Sequence, residues 1–360
     1  MRRRWLDEPA FADLVALCQF LPGPASSQLG FSIGLLRAGA LGGIAAWSGF
    51  TLPSAALLVA FAYGASYLSG GNGLALLHGL RLVAVAIIAQ AVFGMARTLC
   101  PDRVRASIAV AAVLIMLGSS SSIAQIGAIA LGGLAGLWLC RAVAAAAPIP
   151  LALPVSRGAG LASLLLFGAL LIALPLLRAF SHSSAVALFE AFYRSGALVF
   201  GGGHVVLPLL REAFVAPGWV DDAQFLAGYG AAQAVPGPLF TFAAYLGAVV
   251  RLHPNGLAGA ALGLVGIFLP GLLILVATLP FWDALRQRPA AQAAMRGINA
   301  SVVGILGAAL YTPVWTSSVR SGADFGLALA GFVLLSAWRS SPLLVVILLS
   351  GAAVLLAHVS

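Results

Sequence analysis

Long apolar runs alternate with short polar or Gly/Pro-rich punctuation along almost the whole chain. Read as membrane segments, they lie at 11–36, 40–67, 79–97, 104–119, 122–140, 159–180, 186–210, 224–250, 256–281, 297–316, 323–338 and 342–358. The pattern therefore predicts an all-α integral membrane protein of about twelve membrane segments. Segments 104–119 and 323–338 fall short of the roughly 20 residues that a full crossing needs. The stretch 141–160, with Pro148, Pro150 and Pro154, reads as a connector.

The order of the punctuation repeats. Trp5, Asp7, Phe11, Gln19, Pro22-Gly23-Pro24 and Arg37 recur 214 residues later as Trp219, Asp221, Phe225, Gln233, Pro236-Gly237-Pro238 and Arg251. Further on, GFTLP (49–53) matches GIFLP (266–270), and Gly79-Leu80 matches Gly297-Ile298. Collinear matches with small gaps read as a duplication. It divides the chain into a first repeat (1–140), a connector with a linking membrane helix (141–185) and a second repeat (186–360). The segment 192–211 has no counterpart ahead of Trp5, so the symmetry expects one further segment, either encoded upstream of Met1 or naturally absent from a divergent chain. Six segments followed by one linker would turn the second repeat upside down, the plan of inverted-topology repeats.

Composition supports the membrane reading. Hydrophobic residues make up 61% of the 360 and charged residues 8%, against about a quarter in soluble domains. The net charge of +9 is scattered through short loops, which fits orientation by the positive-inside rule and not a nucleic-acid surface. If every segment crosses, Arg37, Arg97, Arg103, Arg105, Arg141, Arg157, Arg211, Arg286, Arg288, Arg296 and Arg339 fall on one side, against Arg2, Arg3, Arg4, Arg81, Arg178, Arg251 and Arg320 on the other. The richer side, with the 97–105 and 282–296 loops, is predicted to be cytoplasmic in a bacterial inner membrane. The chain has no lysine, which excludes a Walker A loop and Schiff-base chemistry. Cys18, Cys100 and Cys140 form no CxxC and read as small packed residues. The five histidines show no ligand spacing, and no cofactor or metal site is predicted.

Candidate chemistry lies at the breaks. In each Pro-Gly-Pro the first proline ends a helix and the second suits the start of a new one. The amides of Ala25, Ser26 and Ser27, and of the residues through Thr241, would then face the break as an anion site. Hydroxyls of Ser26, Ser27 and Thr241 and the amides of Gln19, Gln28 and Gln233 would complete it. The alternative is a pair of proline kinks that only fit helices together. A second kind of break is expected at Gly201-Gly202-Gly203-His204, with Arg194 nearby to balance an anion. The competing readings are close glycine packing, a packed His204 and an Arg194 that snorkels to the interface.

LCQFLPGPASSQLG (17–30), GFTLPSA (49–55), VFGGGHVVLPLL (199–210) and QAVPGP (233–238) together resemble the chromate ion transporter family over essentially the whole chain. The resemblance implies two homologous halves in opposed orientation and export of chromate, hence chromate resistance. Partners expected are chromate or a similar oxyanion, membrane lipid and a second copy in a homodimer, with no nucleic acid. Transport of another oxyanion such as sulfate, or a passive channel, are the neighbouring readings. An intramembrane enzyme is disfavoured because no redox or nucleophilic motif is visible.

Overall fold

The computed structural model describes residues 8–65, 71–119, 121–140, 155–200 and 203–359. Secondary structure among them is entirely helical. The first part holds α1 (Glu8–Phe20), α2 (Ala25–Ala65), α3 (Gly71–Leu99), α4 (Arg103–Gly118) and α5 (Ser122–Leu139). Then come α6 (Arg157–Phe180), α7 (Ser184–Ala197), α8 (Val206–Phe214), α9 (Asp222–Ala232) and α10 (Phe242–Val249). The last part holds α11 (Gly256–Thr278), α12 (Trp282–Arg286), α13 (Pro289–Ala309), α14 (Thr316–Ser318), α15 (Gly322–Ser336) and α16 (Pro342–Val359). Five helical stretches are long and apolar enough to cross a membrane: Ala25–Ala65, Gly71–Leu99, Arg157–Phe180, Gly256–Arg286 and Pro289–Ser318. Shorter apolar helices, among them Gly322–Ser336 and Pro342–His358, accompany them. Their outer faces are apolar: Ile123, Leu165, Ile172 and Leu355 are each more than 60% exposed. The chain is a multi-pass membrane protein.

Three of the expected segments do not run through; they turn back. Segment 224–250 begins and ends at the same end of the molecule. The Arg251 amide donates to the Trp219 carbonyl at 3.0 Å, and its guanidinium meets Asp221 at 2.6 Å. Segment 186–210 behaves alike. Ser184 at its start bonds the His253 carbonyl, and Arg211 just past its end pairs with Asp222 at 2.8 Å. Segment 11–36 begins and ends at the opposite end, where Leu14, Leu17 and Leu35 share one buried cluster with Trp282. Asp13 anchors it there through Trp282 and Arg286. The chain leaves this hairpin through a kink in α2, at Ala38 and Gly39, and the second arm (40–65) then runs the length of the molecule.

The physical reason for the reversals is in the tips. Gly23 and Gly237 have φ of 114° and 139°, values an L side chain rarely adopts. Between two prolines that each block helix continuation, such a residue turns the chain instead of merely unwinding it. One consequence is that Arg211 lies beside Met116 and Thr312, at the far end of α4 and α13 from Arg103 and Arg296. The sidedness expected for it from counting crossings is therefore wrong. Arg103, Arg105 and Arg296 stay together.

The two parts interlock. α13 packs against α4 and α5, and α3 packs against α15 and α16, so each part's long helix is clasped by the other part's last two. Glycines set these approaches: Gly297 sits against Gly132 and Gly136, and Gly79 against Ser350. α6 buries only Gly160 and Leu174 and lies on the outside.

Candidate functional site

The tips of all three hairpins meet. The Gly23 amide donates to the Val199 carbonyl at 2.7 Å, tying the first Pro-Gly-Pro to the break after α7. Gly203, on the other limb of that break, faces Leu239 and Phe240 of the second Pro-Gly-Pro turn. Each Pro-Gly-Pro is also braced by the long helix of the other part. Gly23 lies against Gly271, one residue past the mid-helix Pro270 of α11. Pro236 accepts a hydrogen bond from Ser54, one residue past the mid-helix Pro53 of α2. Trp47 of α2 and Phe240 both meet the ring of Phe268, with centroids 5.5 and 5.8 Å apart. Three backbone reversals are thus packed into one central region between two proline-interrupted helices.

The chemistry available there differs in part from the sequence expectation. The first helical turn after Pro24 presents the amides of Ala25, Ser26 and Ser27, since the first intrahelical bond is Gln28 N–H to Pro24 O at 2.9 Å. Ser27 is 1% exposed and its hydroxyl has no hydrogen-bond partner. Thr51 is in the same state at 0% exposure. It lies between Trp47 and Ser54 on the face of α2 that touches Phe268 and Pro236. The indole nitrogen of Trp47 is also buried without a partner. The Ser32 hydroxyl makes a fourth on the same helix. A buried donor without a partner costs roughly 1–3 kcal/mol, so four on one helix mark a place built to meet an acceptor.

Several expected ligands have other duties. Gln28 spends its side-chain amide on the carbonyls of Pro22 and Gly271, at 2.9 and 2.8 Å, and acts as a brace; only its buried Oε1 is left over. The Thr241 hydroxyl donates back to Pro238 O at 2.8 Å and caps its own turn. Gln19 and Ser26 are exposed, and Gln233 is half-buried with an unpartnered Nε2. Gly201 and Gly202 lie outside the described residues, while His204 bonds the Tyr229 hydroxyl through Nδ1 at 2.7 Å. Arg194 does not balance the centre. It pairs with Glu190 at 2.8 Å, and Arg178 of α6 holds the other Glu190 oxygen at 2.8 Å. Glu190 is 4% exposed, and stripping a buried carboxylate of one partner costs about 3–5 kcal/mol, so this triad is structural.

Trp47, Thr51 and Ser54 are not among the residues expected from the sequence, although Thr51 lies within GFTLP (49–53), the stretch that matches GIFLP (266–270). A further break, with a non-helical Thr312 before Pro313, interrupts the helix that follows α13. It borders a cavity of about 160 Å³ with Gln125, Arg211 and Glu212. Among the described residues no group of His, Cys, Asp and Glu is arranged to hold a metal ion.

Comparison with known proteins places this architecture. No solved structure gives a significant match. A chromate transport protein of Pseudomonas aeruginosa is 29% identical over 356 residues, covering 96% of this chain and 82% of the relative. A probable chromate transport protein of Synechococcus elongatus is 27% identical, covering 96% and 85%. An uncharacterized transporter of Bacillus subtilis, YwrA, is 30% identical over 151 residues, 41% of this chain and 78% of the relative. The family described as Chromate transporter matches residues 1–137 and 186–355, and the chain belongs to that family.

Proposed function

We propose that this chain carries chromate across the membrane through the region where the three hairpin tips meet, and that it moves the ion outward from the cytoplasm of a bacterial inner membrane. The observation that carries the reading is the convergence of two Pro-Gly-Pro reversals with unpartnered, buried donors on α2. Chromate is a tetrahedral dianion, and amides at a helix start with nearby hydroxyls suit such a group. An inside-negative potential favours its exit by about 2.3 kcal/mol per charge per 100 mV. The family membership and the relatives named for chromate transport support the substrate; the arginine cluster at 103, 105 and 296 supports a cytoplasmic face at that end. Expression in energised, chromate-sensitive cells is expected to lower cell-associated chromate. Unchanged accumulation, with the protein present in the membrane, would overturn the proposal.

The same reading includes two repeats of opposed orientation. The hairpin of α1 and the first arm of α2 starts from the Trp282 end, whereas that of α9 and α10 starts from the Arg251 end. The reciprocal bracing by Gly271 and Ser54, and the reciprocal clasps on α3 and α13, follow the same two-fold relation. Residues 1–140 and 186–360 are then the two repeats, joined through α6. Single cysteines in a cysteine-free background test this with an impermeant thiol reagent. Pro217→Cys and His253→Cys should label from one side and Ala38→Cys from the other. Labelling of 217 and 253 from opposite sides would restore a crossing segment between them, and labelling of Ala38→Cys from the same side as both would remove the inverted plan.

A further inference from the structure

The reciprocal packing creates the same cleft twice. At one end, the start of α4, the end of α5 and α13 enclose about 410 Å³ lined by Asp102, Arg103, Val104, Arg105, Cys140 and Arg296. At the other, the start of α15, the end of α16 and α3 enclose about 390 Å³ with His78, Ser321, Asp324 and Leu356 in its lining. The two are near-equal in size and built from matching helices, so the packing needs such a cleft in each part. Their charge differs. In the second, His78 pairs with Asp324 at 2.7 Å and Asp324 caps α15, so its polar groups satisfy one another. In the first, three guanidiniums from two helices line the space against one carboxylate.

That carboxylate is already used. Asp102 accepts from the Arg105 backbone amide at 2.9 Å and from its guanidinium at 2.6 Å. These two bonds hold the Asp102 carboxyl below its ordinary range. Arg103 and Arg296 have no partner among the described residues. The surroundings point outward to lipid. Trp138 and Leu139, at the end of α5, are 78% and 61% exposed, and Val110 and Leu114 on α4 are 58% and 64% exposed. An indole at the polar end of an apolar helix face is the usual mark of the headgroup level. A basic pocket at that level, between membrane helices, suits an anionic lipid headgroup.

We propose that the cleft formed by Arg103, Arg105 and Arg296 binds the phosphodiester of an anionic phospholipid, and that its counterpart beside His78 does not. This rests on the membrane placement of the fold and not on chromate as substrate. The lipid would sit on the seam where α4 and α5 clasp α13, holding the two parts together at one membrane face only.

The test uses the full chain purified in a non-ionic detergent and titrated with phosphatidylglycerol, with phosphatidylcholine and with inorganic phosphate, followed by native mass spectrometry. Phosphatidylglycerol should bind in preference to phosphatidylcholine. Arg296→Gln should weaken it about fivefold, and the triple Arg103→Gln, Arg105→Gln, Arg296→Gln change about a hundredfold. Arg339→Gln, on a separate exposed turn, should leave it unchanged. The single Arg296→Gln comparison carries the test should the triple variant not fold. Equal binding of both lipids, no loss in Arg296→Gln, or full displacement by millimolar inorganic phosphate would each overturn the proposal. Because the readout involves no transport, it stands apart from a failure of chromate flux.

Discussion

Gly237→Ala should abolish transport and leave little folded protein. An added Cβ would lie 1.9 Å from the Ser54 hydroxyl, and the residue's φ of 139° is strained for any L side chain. Overpacking costs about 1–3 kcal/mol and the backbone strain about 1–3 kcal/mol more. Together these amount to much of the stability of an ordinary domain. The damage also falls at the tip itself, since Ser54 would have to release Pro236. Ser54→Ala in the same chain removes the 1.9 Å clash but leaves the residue-54 Cβ at 2.9 Å and the strain, so the double variant should recover part of the folded yield. Fluorescence-detected size-exclusion after heating reads the yield. A Gly237→Ala protein that elutes and survives heating as the wild type does would contradict this packing. Gly23→Ala should behave alike, because its Cβ would come within 2.9 Å of the Gly271 backbone at a φ of 114°.

Much of the helix layout was legible in the sequence. Segments expected at 159–180, 256–281 and 342–358 appear as Arg157–Phe180, Gly256–Thr278 and Pro342–Val359. Apolar length and flanking Gly, Pro and Ser suffice for that. Direction was not legible. A run such as 224–250 has the same composition whether it crosses or turns back, and the decision rests on the left-handed Gly237 and on the Arg251–Trp219 contact that closes the hairpin. Arg194 shows a different failure. Its partner Glu190 stands four residues earlier, the spacing of a helical ion pair, and that signal was available. The roles of Gln28 and Thr241 were hidden for another reason. An amide or hydroxyl beside a break serves as readily to cap carbonyls as to bind a ligand, and only the path of Gly271 and Pro238 decides.

Ser27→Ala and Thr51→Val carry the second large expectation, and its two parts have opposite signs. Both hydroxyls are buried without a partner, so replacing them with apolar groups removes a desolvation cost and should leave the fold unchanged or slightly firmer. If they donate to chromate, each removes a charge-assisted hydrogen bond worth about 1.5–3 kcal/mol. Half-saturation should then rise about ten- to a hundredfold for each change. Ser26→Ala, at an exposed position, should have a milder effect. The direct measurement is radiolabelled chromate flux in proteoliposomes holding equal amounts of wild type, Ser27→Ala and Thr51→Val, under an imposed membrane potential. The account predicts saturable wild-type flux, with half-saturation raised at least tenfold in both variants while their thermal survival is undiminished. Wild-type affinity in both variants, or no flux by the wild type, would contradict it.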